Sequence, residues 1–164
     1  MRQTILVSCD PEKYQSKLAF KKLSILFFFL VTVTNALSQS VQGDRILGVW
    51  LNEDKDAQVK VYKSDSKYFG TLIWGKEMYE TDGKTSRKDA ENKDEKLRSR
   101  NLKDLIMLSD FVFNDGVWEE GKIYDPVSGN TYSCTIKLKE NKLDIRGYIG
   151  ISLFGRTTVW ERVQ

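Results

Sequence analysis

The 164-residue chain contains no histidine. That removes Ser-His-Asp and Cys-His nucleophile systems, together with most zinc and iron sites, which draw on imidazole. There is no glycine-rich phosphate loop, no internal repeat and no low-complexity tract. Acidic residues are plentiful, so carboxylate-pair chemistry of the glycosidase kind stays open in principle. Nothing in their spacing singles out a pair. Catalysis is disfavoured on these grounds, and neither a metal nor a cofactor is expected. Cysteine is scarce too: only Cys9 and Cys134 occur.

What the N-terminus does contain is an export signal. Lys21-Lys22 precede an apolar stretch of about 15 residues that ends in the small-residue site Ala36-Leu37-Ser38, the pattern of a cleavable secretory leader. A membrane-spanning helix needs roughly 20 apolar residues, and no cysteine follows directly to carry a lipid anchor. The segment ahead of Lys21 is long for such a leader, which suggests a start site downstream of Met1. Residues 1–38 are therefore expected to be removed, leaving residues 39–164 as one domain in the periplasm or outside the cell.

Removal of the leader changes the charge. It takes with it five basic residues, Arg2, Lys13, Lys17, Lys21 and Lys22, and two acidic ones, Asp10 and Glu12. The remainder has 21 basic and 21 acidic residues and no net charge. Without a surplus of Lys and Arg nothing draws the domain to a phosphate backbone, so nucleic acid is not an expected partner. Cys9 leaves as well, and Cys134 alone cannot form an internal disulfide. It alternates with Tyr132, Ile136 and Leu138, the position of a small buried hydrophobe.

After residue 44 apolar residues alternate with polar ones between turn residues, the signature of strands. Strands are expected near 45–51, 57–63, 67–75, 104–113, 116–124, 131–139, 142–150 and 152–162. The joints are short, as at Asn114-Asp115-Gly116 and Glu140-Asn141, where Asn, Asp and Gly supply the backbone angles of tight hairpins. An all-β, eight-stranded, antiparallel up-and-down barrel follows, because closure removes both exposed sheet edges. A two-sheet sandwich is the alternative. Residues 77–102 break the rhythm, with 14 charged residues in 26. A loop that long is usually functional or disordered.

Several motifs carry candidate functions. Gly48-Val49-Trp50 opens the first strand. Lipocalin-like and avidin-like barrels place a Gly-x-Trp there, its indole plugging one end, and in lipocalins a late-strand arginine packs over it. Arg156 and Arg162 are the available partners. In Gly121-Lys-Ile-Tyr-Asp-Pro-Val-Ser-Gly-Asn-Thr-Tyr132, Asp125, Pro126 and Gly129 are the residues a strand-joining corner demands. Tyr124, Asp125 and Tyr132 would also meet at a barrel rim, so corner and rim site both remain open. Arg146, Tyr148, Arg156 and Trp160 lie on the last two strands. An arginine aimed into the lumen needs a carboxylate, from ligand or protein, and Asp144, Asp125 and Glu161 are the protein candidates. Asp89-Ala-Glu91-Asn92-Lys-Asp94 looks like a calcium loop but lacks its glycine and distal Glu.

Taken together, Gly48-x-Trp50, Gly70-x-x-x-Trp74, Asn92-x-Asp94-x-x-Leu97-Arg98-x-Arg100, Trp118-x-x-Gly121-x-Ile-Tyr-Asp-Pro-x-x-Gly129-x-x-Tyr132, Arg146-Gly-Tyr148 and Gly155-Arg156-x-x-x-Trp160 resemble secreted bacterial proteins grouped as domain of unknown function 2147. The resemblance spans about residues 44–163 and implies an exported domain but no activity. One departure is Lys103-Asp104, where members often carry Gly before the fourth strand.

The expected function is a secreted barrel that binds a small apolar or amphipathic molecule, of the lipid or fatty-acid class. Its candidate ligand contacts are Trp50, Trp74, Tyr124, Asp125, Tyr132, Arg146, Tyr148, Arg156 and Trp160. Two rivals are an envelope protein-interaction domain using loop 77–102 and an enzyme using rim carboxylates with Tyr124.

Overall fold

The computed structural model describes residues 41–163, and the proposed leader lies outside them. Eight antiparallel strands run in sequence order: β1 (Gly48–Leu51), β2 (Ala57–Ser64), β3 (Lys67–Gly75), β4 (Ile106–Asn114), β5 (Val117–Asp125), β6 (Asn130–Lys139), β7 (Lys142–Tyr148) and β8 (Arg156–Arg162). Each pairs with the next, and β1 pairs with β8, closing the barrel. The expected strands 45–51 and 152–162 begin late, because Asp44–Ile46 and Ser152–Phe154 form single 3-10 turns. No helix among the described residues is long and apolar enough to cross a membrane.

The hairpin turns use the residues the sequence offered. Asp115 and Gly116 both take positive φ, 44° and 84°, the geometry that suits a two-residue hairpin. Asp104, at the departure from the family pattern, adopts φ 63°. That is the left-handed region that glycine enters freely and Asp tolerates.

Closure along β1 and β8 is short, with Trp50 opposite Arg162 and Leu51 opposite Glu161. Side chains reinforce it. The Arg162 guanidinium stacks 4.1 Å from the Trp50 ring centroid and donates to the carbonyls of Leu47 (2.8 Å) and Arg45 (2.6 Å). Trp50 is fully buried, and its indole N–H donates to the Ile46 carbonyl at 2.8 Å. Gly48 makes room for this stack: its φ is 134°, and a Cβ there would lie 2.6 Å from the arginine Nη1. The Gly-x-Trp motif is therefore an end plug whose arginine partner is Arg162, not Arg156.

Above the plug, Trp118, Phe111, Leu108, Ile136 and Leu143 fill the closed half of the barrel. Gly121 allows this packing, since a Cβ there would fall 2.3 Å from the Phe111 ring. Cys134 lies in the same core with no exposure, and burial pushes its thiol up to about 12. It is a packed hydrophobe, not a nucleophile.

Candidate functional site

The up-and-down order brings the β1–β2, β3–β4, β5–β6 and β7–β8 connections to the end opposite the plug. There the lumen opens as a cavity of about 430 Å³. Its walls alternate in from the strands: Ile123 of β5, Tyr132 of β6, Ile145 and Gly147 of β7, and Arg156, Thr158 and Trp160 of β8. Trp160 is 4% exposed and forms part of the floor. Asn52, Glu53 and Asp54, from the turn after β1, stand at the rim. Apolar depth beneath a few polar rim groups is the usual build of a small-molecule site.

Arg156 is exposed at this mouth and pairs across the sheet with Gly147. Among the described residues no carboxylate forms an ion pair with it. The protein carboxylates that the sequence offered are engaged elsewhere. Asp144 pairs with Lys139 and Glu161 with Lys142. Asp125 accepts from the Val127 amide (3.0 Å) and the Ser128 hydroxyl (2.6 Å) of its own turn. Asp125 therefore holds the corner with one hydrogen bond to each of its oxygens.

Tyr124 borders this cavity, but its hydroxyl is turned away from the lumen. Glu120 takes φ 62°, and β5 slips one residue against β6 between Trp118 and Gly121. Such a bulge reverses the alternation beyond it, so Gly121 and Ile123 face inward while Tyr124 faces outward. It is nonetheless 8% exposed, because the long loop covers it. The Tyr124 hydroxyl donates to Asp89 Oδ1 at 2.6 Å, and Asp89 Oδ2 accepts from Asn92 Nδ2 (2.8 Å) and Arg100 Nε (2.7 Å). Asn92 Nδ2 also donates to the tyrosine oxygen at 2.9 Å, and Arg100 lies 5.0 Å over the ring. Burial, then the adjacent Asp89, raise the Tyr124 phenol above its ordinary value. Gly129 completes the clamp: with φ 68°, a Cβ there would overlap the Glu91 carbonyl oxygen at 1.7 Å. The apparent calcium loop is thus the inner face of a strap, its buried carboxylate filled by protein donors. A second cavity, about 490 Å³, lies between this strap and the outer face of β4–β6, beside Lys93, Leu97, Arg100 and Lys122.

Three other predicted contacts lie off the lumen. The register shift between Gln58 and Val59 sets Gln58 opposite Trp74 and Val59 opposite Leu72. One extra β3 residue turns Trp74 to the outer surface, 39% exposed. Arg146 and Tyr148 alternate with the inward Ile145 and Gly147 and so face out. The Arg146 guanidinium donates to the carbonyls of Ser152 (2.8 Å) and Leu153 (3.0 Å) and to Thr157 Oγ1 (2.9 Å), fixing the β7–β8 loop. Trp50 belongs to the plug at the far end. Of the predicted set, Tyr124, Asp125, Tyr132, Arg156 and Trp160 all border the cavity, Tyr124 with its hydroxyl turned outward. Sequence reasoning passed over Thr158, which strict alternation between Arg156 and Trp160 would have found. It also missed Asp89, whose burial has no signal in a run of charged residues.

The sequence profile of a family described as an uncharacterized protein conserved in bacteria (DUF2147) matches residues 48–162. Among curated proteins none matches. A solved structure of a Helicobacter pylori protein, described as belonging to the lipocalin family, is similar with a TM-score of 0.63 and 25% sequence identity, covering 73% of this chain and 83% of that one.

Proposed function

This chain belongs to the DUF2147 family of bacterial proteins, and from that premise we propose that it is an exported binding module for a small amphipathic molecule of the fatty-acid class. A lipocalin-like barrel fits small-ligand binding in general. The finer reading rests on one observation: Arg156, which forms no ion pair among the described residues, stands with Glu53 and Asp54 at the rim of a cavity walled by Ile123, Tyr132, Ile145 and Trp160. A cation placed there favours a carboxylate head group, while the walls favour an acyl chain. The size agrees, since small-molecule sites run from about 300 to 1,000 Å³.

The test is displacement of a fluorescent fatty-acid analogue by decanoic acid and, in parallel, by decanol. Arg156→Ala is expected to weaken decanoic acid about tenfold and to leave decanol within about twofold, as loss of one exposed charge-assisted hydrogen bond implies. Equal weakening of both, or none of either, would remove Arg156 as the head-group contact.

A further inference from the structure

The connection between β7 and β8 carries Ile149, Ile151, Leu153 and Phe154 with exposures of 78%, 59%, 75% and 81%. Four large apolar side chains projecting from seven residues are not scattered surface hydrophobes. The loop stands at the mouth of the cavity, between the lining residues Gly147, one residue before the end of β7, and Arg156, the first of β8. Nor is it a slack segment that failed to fold back. Arg146 holds the Ser152 and Leu153 carbonyls, and the amides of Phe154 and Gly155 donate to the carbonyls of Ile151 and Ser152.

We propose that this loop inserts into the surface of a lipid bilayer and docks the mouth of the barrel against it. Two features favour lipid over a protein partner. The loop carbonyls at Ile151, Ser152 and Leu153 already have donors within the protein, which lowers the cost of taking them out of water. From Ile145 to Trp160 the chain contains Arg146 and Arg156 and no acidic residue, so the base of the loop complements anionic head groups. Glu53 and Asp54 stand at the same end and oppose close approach of such a surface, which makes the apolar tip the principal anchor. The inference rests on the ligand-binding reading above in one respect: docking would let an amphipathic molecule pass between bilayer and cavity without crossing water.

Flotation with vesicles of phosphatidylethanolamine and phosphatidylglycerol tests it, using the protein lacking residues 1–38 so that the leader contributes nothing. Wild type is expected to float. Leu153→Glu/Phe154→Glu is expected to lose more than about a hundredfold in partitioning while keeping its circular dichroism spectrum and its affinity for the soluble fatty-acid analogue. A Phe154→Trp variant should show emission quenched by lipids brominated along the acyl chain. Wild type that stays with the solution, a double variant that still floats, or a Phe154→Trp emission indifferent to brominated lipid would each overturn the proposal. So would wild type that self-associates through the loop and ignores vesicles. Vesicle binding by a protein that takes up no fatty-acid analogue would instead sink the ligand-binding reading and leave docking intact.

Discussion

Trp50→Ala is expected to destabilise the domain by about 4 kcal/mol in urea unfolding, with a fall in Tm on the order of 10 °C. The indole is fully buried, and its removal empties the plug. It also frees the Ile46 carbonyl that the indole N–H engages and leaves Arg162 with nothing to stack on. A domain of this size has a total stability of about 5–15 kcal/mol, so the loss is a large fraction. Arg162→Ala should cost about 2 kcal/mol, because two backbone carbonyls lose a charged donor and the stack disappears. The double variant should lose less than the sum of the two, since both residues serve one cluster. Additive losses would mean that the plug and the β1–β8 seam are independent. An Arg162→Ala variant as stable as wild type would mean that the seam's hydrogen bonds close the barrel unaided.

Asp89→Ala should act on a different part of the molecule. The carboxylate is 1% exposed and receives Tyr124, Asn92 and Arg100. Its loss leaves a buried phenol and a half-buried guanidinium without their acceptor, a penalty of about 2–3 kcal/mol after allowance for the solvent that reaches Arg100. That penalty falls on the strap, so the strap should open before the barrel does. Trypsin reads this out directly, because Lys84, Arg87, Lys88, Lys93, Lys96 and Arg98 all lie along it. Cleavage within residues 84–100 is expected to accelerate on the order of a hundredfold, with the near-ultraviolet spectrum of the buried indoles unchanged. Unchanged cleavage would show that other contacts hold the strap. Global unfolding would show that strap and barrel form one cooperative unit.

The barrel was legible because its strands are bounded by turn residues and their number and order do not depend on which face each residue takes. Face assignment does depend on that, and there the reading broke. Trp74 and Tyr124 each lie beyond a bulge, and a one-residue slip sends every later side chain to the opposite face. Gly121 adjoins the bulge near Glu120, but a glycine beside a strand does not say whether the alternation flips there, and it is Glu120 that adopts positive φ. Arg146 and Tyr148 were open to either face because the register of β7 against its neighbours is set by packing. Charged segments hide burial in the same way. Asp89 resembles its solvated neighbours in sequence, and only the fold brings Tyr124, Asn92 and Arg100 to it. What could be read at the mouth was the Arg156 to Trp160 alternation, where β8 runs without a bulge.

The four tryptophans give the most direct test of the division between closed plug and open cup. Trp50 and Trp118 are buried in the closed half, Trp74 is outside, and only Trp160 lines the cavity. In protein labelled with 5-fluorotryptophan and assigned through single Trp→Phe variants, titration with decanoic acid should shift the Trp160 fluorine resonance and leave Trp50, Trp118 and Trp74 in place. Four unmoved resonances at saturating ligand, or a shift confined to Trp74, would contradict it.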